Sequence, residues 1–547
     1  MVLSASLVKV GGALFKVPLS SLLTGSGMGL FMASYSIFGP FFALFASGLS
    51  PAVSSLVSRT RALNGEREAS MVCRANLIFF SVYAFLVYLL FIKVSPLFCR
   101  LAGDEALIPC IYAIAPCMFF CTLSSVIKGG FEGKLTMVPT AFSNLLEVSA
   151  KFISGLWLAK LCLENIFSEF YLYGSINGQK CIDLNEAACK AIPLATASAL
   201  DGVALAGLIS CGFLLMCFLK DTGVRDGFPK MHHFKVSLEI LRFSLPVCLS
   251  SLIISLYPSI DMYTFMKLFK GLLERGERLP ASLSPLLMTG MEKDAVPSFL
   301  YGCYSALAMT VFHLVPSVAS SFSVAVLPVV SGLYAKGNTV KTETVVEGVI
   351  RSAAFICFPM GTAMSMMPRE ILYFFFRRSP LEVEFAVGFL RILGIAGIFV
   401  GLTSPVFAIL QGIGKEKIPV RILFLFLWLK LLLNVSLSFI EEIGPFAPAV
   451  STLIAYIFIF VSALKKLSYN FNRRFSFYKI IIRPFTLSLS SCFFVKVLFH
   501  TLSKTPKNPL ILAISGLLGA LMYILLMLLT GEFKQEYIKI LYCNKNA

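Results

Sequence analysis

Glu147 and Lys151 stand four residues apart in an otherwise apolar run, a spacing that puts both on one face of a helix. Such a pair could neutralise itself and make two charges tolerable in lipid. Alternatively, it could line a cavity and open when a substrate or an ion arrives. Other bases lie deep in apolar runs: Lys9, Lys16, Arg391 and Lys430, with Arg59 at the mouth of the second run. A lysine or arginine at the centre of a membrane helix costs roughly 2.5–3.5 kcal/mol on insertion scales and so marks a site by default. The acids in the runs are fewer, with Glu147, Asp201 and Asp261 the clear cases. An interior biased toward bases suits an anionic substrate better than a cationic drug. On that reading Lys9, Lys16, Arg59 and Lys430 meet the headgroup, while Glu147, Lys151 and Asp261 gate or couple. Asp261 could hold a coupling cation or pair with a neighbouring lysine.

Other chemistries find little support. There is no G-x-x-x-x-G-K-[ST] stretch to cradle nucleotide phosphates, which argues against ATP hydrolysis. The acids of the segment 162–192 (Glu164, Glu169, Asp183, Glu186) lack D-x-D spacing, so a glycosyltransferase acting on polyprenyl-linked sugars is the least favoured alternative. The 15 cysteines include no C-x-x-C pair and nothing with zinc spacing. Cys162, Cys181 and Cys189 could supply one disulfide if that face is oxidising. No enzyme and no cofactor are expected. The coupling agent would be Na+, H+ or the membrane potential.

The elements that carry these residues are membrane helices. Hydrophobic residues make up 57% of the 547, charged ones 14%, and the mean hydropathy is +0.84. Runs near the roughly 20 residues that a spanning helix needs fall at about 2–23, 30–57, 75–98, 107–127, 140–161, 193–219, 238–267, 298–333, 352–375, 386–411, 420–440, 447–464, 484–502 and 510–530. This predicts an all-α polytopic protein of about fourteen spans. The first run lacks a basic n-region and reads as a retained helix rather than a signal peptide. With the N-terminus in the cytoplasm, 25 lysines and arginines fall in inner loops against 11 in outer ones, so both termini are expected inside. The net charge of +18 follows mostly from that topology, which leaves no basic domain for nucleic acid.

The chain also repeats. "FEGKLTMVPT" (131–140) is echoed by "LQGIGKEKIPV" (410–420), and Gly133 and Gly412 each precede a lysine, Lys151 and Lys430, by eighteen residues. "FFCTLSS" (119–125) matches "IFVGLTS" (398–404) at the same offset of 279. "PAVSSL" (51–56) matches "PVVSGL" (328–333) at 277. Six spans separate the copies, so the halves are parallel repeats, an architecture of transporters that work by alternating access. The boundaries predicted are 1–220, 221–466, and a C-terminal pair of spans with a tail over 467–547.

The stretch "KGGFEGKLTMVPTAFSNLLEVSAKF" (128–152) resembles the turn and fifth span of MviN/MurJ-like flippases, in particular their stage V sporulation protein B/YtgP branch. Lys128, Gly129, Phe131 and Gly133 fit the turn, Pro139, Thr140 and Ala141 the helix start, and Glu147 the acid. Lysines stand at 16, 128 and 151 where the branch has arginine, which replaces a bidentate fork by a point charge. "SGLSPAVSSLVSR" and "SLPVCLSSLIISLYPSID" resemble its second and seventh spans. The resemblance implies the multidrug/oligosaccharidyl-lipid/polysaccharide exporter fold, twelve helices in two lobes plus two more. It also implies an undecaprenyl-diphosphate-linked sugar such as lipid II as substrate, with a role in peptidoglycan synthesis. The partners implied are that lipid-linked oligosaccharide, the bilayer of a bacterial inner membrane and cell-wall polymerases, for a chain acting as a monomer. A cation-coupled multidrug exporter of the same fold is the main alternative. The turn itself reads from its glycines as a tight reversal, with Pro139 in the first turn of the next helix.

Overall fold

A computed structural model describes residues 2–176, 179–180, 184–222, 231–271, 295–337, 339–440, 443–471, 478–502 and 508–530. Among these residues the fold is helical apart from one antiparallel two-residue pairing, Ser175–Ile176 with Gln179–Lys180. The chain divides into two compact units, Met1–Gly302 and Cys303–Ala547.

The first unit holds α1 (Val2–Phe45), α2 (Leu49–Asn64), α3 (Glu66–Ala102), α4 (Leu107–Gly133), α5 (Val138–Tyr173), α6 (Leu184–Thr222), α7 (Met231–Tyr263) and α8 (Val296–Gly302). The two opening spans are one helix broken at a single residue, Thr24 (φ 58°, ψ −178°). A β-branched residue with φ in that range is an outlier, so the turn expected over "LLTGSGMGLF" narrows to one strained position. α7 runs on into a π-helical turn, Thr264–Phe269. The packing boundary at 302 differs from the repeat boundary at 220, because α7 and α8 both pack on α1. That packing is close: a Cβ on Gly29 would strike the Ser298 carbonyl, and one on Gly302 would strike that of Gly25.

The second unit begins in a π-helical turn, Cys303–Ala308, and continues through α9 (Met309–Phe312), α10 (Leu314–Ala335), α11 (Thr339–Met366), α12 (Pro368–Phe375), α13 (Pro380–Gly412), α14 (Lys417–Ser438), α15 (Ala447–Phe471), α16 (Arg483–Leu502) and α17 (Pro509–Leu529). The run expected at 352–375 is two helices, since Met367 leaves helical geometry (φ −126°, ψ 48°) and Pro368 starts α12. Among the described residues, twelve helical stretches are long and apolar enough to cross a membrane, with Gly11–Asn64 counted as one. That stretch divides at Thr24. α5, with Glu147 and Lys151 in it, spans by length, so the stretches match the fourteen runs of the sequence. The protein is a multi-pass membrane protein.

The glycines of the "KGGFEG" stretch do not form the turn. Gly129, Gly130 and Gly133 lie within α4, and the reversal is at Leu135, a non-glycine residue with φ 62°. Gly129 and Gly133 instead let α4 press on α2. A Cβ on Gly129 would sit 2.6 Å from the Ser50 carbonyl oxygen, and one on Gly133 2.7 Å from that of Ser54. In lipid, where apolar surface gains nothing by leaving its surroundings, such small-residue seams drive helix association. The second unit repeats the arrangement, with Gly412 of α13 against Leu327 and Val330 of α10. The two motifs that recur at nearly one offset are therefore the two sides of one helix seam.

Candidate functional site

Two helices of the first unit, α1 and α5, meet at Lys151. Its ammonium donates to the Tyr35 hydroxyl at 2.7 Å and lies 4.8 Å from the Tyr35 ring centroid and 5.4 Å from that of Phe15. Phe15 and Tyr35 come from the two arms of α1, and Phe31 bridges them with centroids 6.2 and 5.2 Å away. Two aromatic faces and a hydroxyl thus hold a cation within the span. Cation–π attraction is worth about 2 kcal/mol when desolvated, which offsets much of the cost of placing it there. Lys16 is the residue next to Phe15 on α1.

Glu147 does not pair with Lys151, although the helical spacing permits it. Its carboxylate faces Lys128 of α4 at 3.8 Å, and Lys128 in turn donates to Asn144 Oδ1 at 2.7 Å. With Glu147 and Lys151 on one face of α5, the Phe15–Tyr35 box captures the lysine and α4 captures the acid. Glu132, also on α4, accepts from the Ser50 hydroxyl of α2 at 3.1 Å. Beyond it the buried Lys134 ammonium reaches Asp221 at 2.7 Å and Ser70 at 3.1 Å, while Arg61 donates to its carbonyl at 2.6 Å. This cluster bolts α2, α3, α4 and α6 together at one end of the unit.

The remaining sequence candidates do not join the cluster. Lys9 lies in α1, but its side chain is outside the described residues. Arg59 is exposed on α2, and Arg391 is exposed on α13. Asp261 is buried in α7, 2% exposed, and has interactions of its own. Lys430, the repeat counterpart of Lys151, belongs to the second unit. It is 2% exposed and donates to Thr452 Oγ1 at 2.8 Å, buried where α14 meets α15. Cys162 is a free thiol, and Cys181 lies outside the described residues. No group of metal ligands occurs among the described residues. Sequence reading missed Tyr35 and Phe15, which no local spacing links to a lysine more than a hundred residues away. It also missed the buried acids Glu370 and Glu382 of the second unit.

Comparison with known proteins agrees with this architecture. Residues 305–436 match the MatE family. The chain is 21% identical to the lipid II flippase MurJ of Bacillus subtilis over 89% of this chain and 84% of that one. Among solved structures, a lipid II flippase MurJ in an inward closed conformation superposes with a TM-score of 0.67 at 14% identity, covering 95% of this chain and 97% of that one. An inward-facing multidrug resistance MATE transporter of the MOP superfamily gives 0.61 at 15%, covering 85% and 95%. The resemblance to MviN/MurJ-like proteins read from the residues is borne out. The fold is that of MurJ and MATE transporters, and the proteins it resembles are transporters rather than enzymes.

Proposed function

We propose that the chain flips a polyprenyl-diphosphate-linked oligosaccharide, lipid II or a relative, from the inner to the outer leaflet of a bacterial cytoplasmic membrane. One observation carries the reading: the Lys151 ammonium is held inside the membrane region by Tyr35 and Phe15, and Lys16 is the residue next to Phe15 on α1. A cation in a low-dielectric setting attracts an anion strongly. A diphosphate supplies that anion, and the likeness to a lipid II flippase supports the choice. The substrate would bind while the site faces one leaflet and leave after the protein exposes it to the other. With the cytoplasm negative, outward movement of an anion is favoured by roughly 2.3 kcal/mol per charge per 100 mV. The potential is thus one coupling force. Na+ or H+ bound at Asp261 is the other candidate.

The test is complementation of a bacterium depleted of its lipid II flippase, with outer-leaflet lipid II measured directly. Restored growth together with restored outer-leaflet lipid II supports the reading. Normal membrane insertion with no rise in outer-leaflet lipid II refutes it for that substrate. The MatE match and the MATE fold favour a second reading, cation-coupled multidrug export. Dye efflux from the same cells, without lipid II movement, would select it.

A further inference from the structure

Lys128 and Asn144 are held face to face by a third helix. The Ser210 hydroxyl of α6 donates to the Ser143 carbonyl of α5 at 3.1 Å, and Cys211 of α6 packs with Leu123 and Ile127 of α4. Between α4 and α5, fixed in this way, the Lys128 ammonium donates to Asn144 Oδ1 at 2.7 Å. An ammonium carries three N–H groups. Glu147 faces this one at 3.8 Å, beyond hydrogen-bond distance, so two are left over. The Asn144 amide nitrogen adds two more, because it has no hydrogen-bond partner among the described residues. Asn144 is half-buried, and this nitrogen is not closed off from solvent.

Four N–H donors therefore stand beside one carboxylate, a set that suits an acceptor-rich anion. Glu147 shows that the place takes an oxyanion, since its own carboxylate fronts Lys128 by charge attraction alone and is 39% exposed. A phosphate group brings more charge and can meet the donors at hydrogen-bond distance, so it displaces the carboxylate. Depth bears on how the phosphate arrives. Lys128 lies five residues before the end of α4 and Asn144 six after the start of α5, about 8–9 Å in from the reversal that joins them. That side is the one expected in the cytoplasm from the lysine and arginine distribution. Lys151 lies seven residues, about 10 Å, further along the same face of α5, with Glu147 between.

We infer that Lys128 and Asn144 form a shallow binding station for a phosphate-type oxyanion, one heptad before Lys151, with Glu147 as the carboxylate that vacates it. Once displaced, Glu147 meets Lys151 on the same face of α5, and it returns to Lys128 as the anion passes deeper. The inference rests on the proposed function only for the origin of the anion, a lipid headgroup rather than free phosphate.

The test is calorimetric titration of the full chain in detergent with farnesyl diphosphate, inorganic pyrophosphate and farnesol. The wild type and Lys151→Met both bind farnesyl diphosphate. Asn144→Leu takes two donors away and binds it about ten-fold less tightly at unchanged melting temperature. Asn144→Asp keeps a partner for Lys128 but turns the donors into acceptors, so it loses the ligand too and serves if the leucine variant does not fold. Glu147→Gln removes the competing carboxylate and tightens binding several-fold, a gain that a merely structural acid would not give. Tighter binding of farnesyl diphosphate than of pyrophosphate identifies the lipid headgroup, while equal binding keeps the station and makes its occupant a free anion. Equal binding of farnesol overturns the station, and so does unchanged affinity in both Asn144 variants. Such a failure, with outer-leaflet lipid II still restored in complemented cells, leaves the transport reading standing. Intact binding without lipid II movement refutes that reading alone.

Discussion

The Lys151 ammonium donates a hydrogen bond to the Tyr35 hydroxyl at 2.7 Å, while Glu147, one helical turn away, faces Lys128 at 3.8 Å. The partner scheme decides which variants strand a charge. Lys151→Met leaves Glu147 with its partner, so it stays folded. Lys128→Met leaves the acid alone. A double-mutant cycle on Glu147 and Lys128 is expected to show a coupling of about 0.5 kcal/mol, modest because Glu147 is 39% exposed. The cycle on Glu147 and Lys151 should show less. A larger coupling for the second pair would restore the bridge that the spacing suggests.

Tyr35→Phe tests the box around Lys151. The ring stays and the hydroxyl is lost, which should lower stability by about 1 kcal/mol, read as a fall in melting temperature. Tyr35→Leu removes the ring face as well and should cost more. Equal effects would show that the ring does not hold the cation.

Lys16→Ala should abolish lipid transport in membranes that still contain folded protein, and Lys16→Arg should retain it. Unchanged transport by the alanine variant would remove Lys16 from the site. Separate measurements of membrane abundance and outer-leaflet lipid II distinguish a lost site from a lost fold.

Lys430→Met should leave transport intact and shift stability by no more than about 1 kcal/mol. The thioether side chain fills the same space, and Thr452 keeps its bond to the Pro448 carbonyl at 2.7 Å. Lys430→Ala should cost about 2–5 kcal/mol because it empties a packed site. Loss of transport by a stable methionine variant would return Lys430 to the headgroup.

Two neighbouring glycines should respond oppositely to alanine. At Gly133 the new methyl meets the Ser54 carbonyl at 2.7 Å and should cost about 1–3 kcal/mol. At Gly130 it meets only Cys73 Sγ at 3.4 Å, and the gain in helix propensity is up to about 1 kcal/mol. Thermal unfolding of the two variants checks the contrast. Equal behaviour would remove the seam.

The spans and the repeat were legible because both are written in local composition and short motifs. Long-range partners were not. Tyr35 and Lys151 are joined only by the fold, and helix spacing offered Glu147 as the nearer choice. The glycines misled for a different reason. Gly129 and Gly130 beside Glu132 and Lys134 read as a polar turn, yet backbone approach to Ser50 and Ser54 demands small residues inside a helix just as a reversal would. The real reversal at Leu135 has no glycine to announce it, and Lys430 gave no sign in sequence that α15 would cover it.

The seam between α2 and α4 has a consequence for the order of synthesis. Both of its sides are complete once residue 133 has been made, long before the second unit begins at Cys303. The nascent chain can therefore join these helices during insertion, as domains generally fold in the order they emerge. The Gly412 seam against Leu327 and Val330 gives the later half the same independence. A ribosome stalled between residues 222 and 303 should already carry a joined α2–α4 pair, open to crosslinking between cysteines placed at Ser50 and Glu132, whose side chains meet across it.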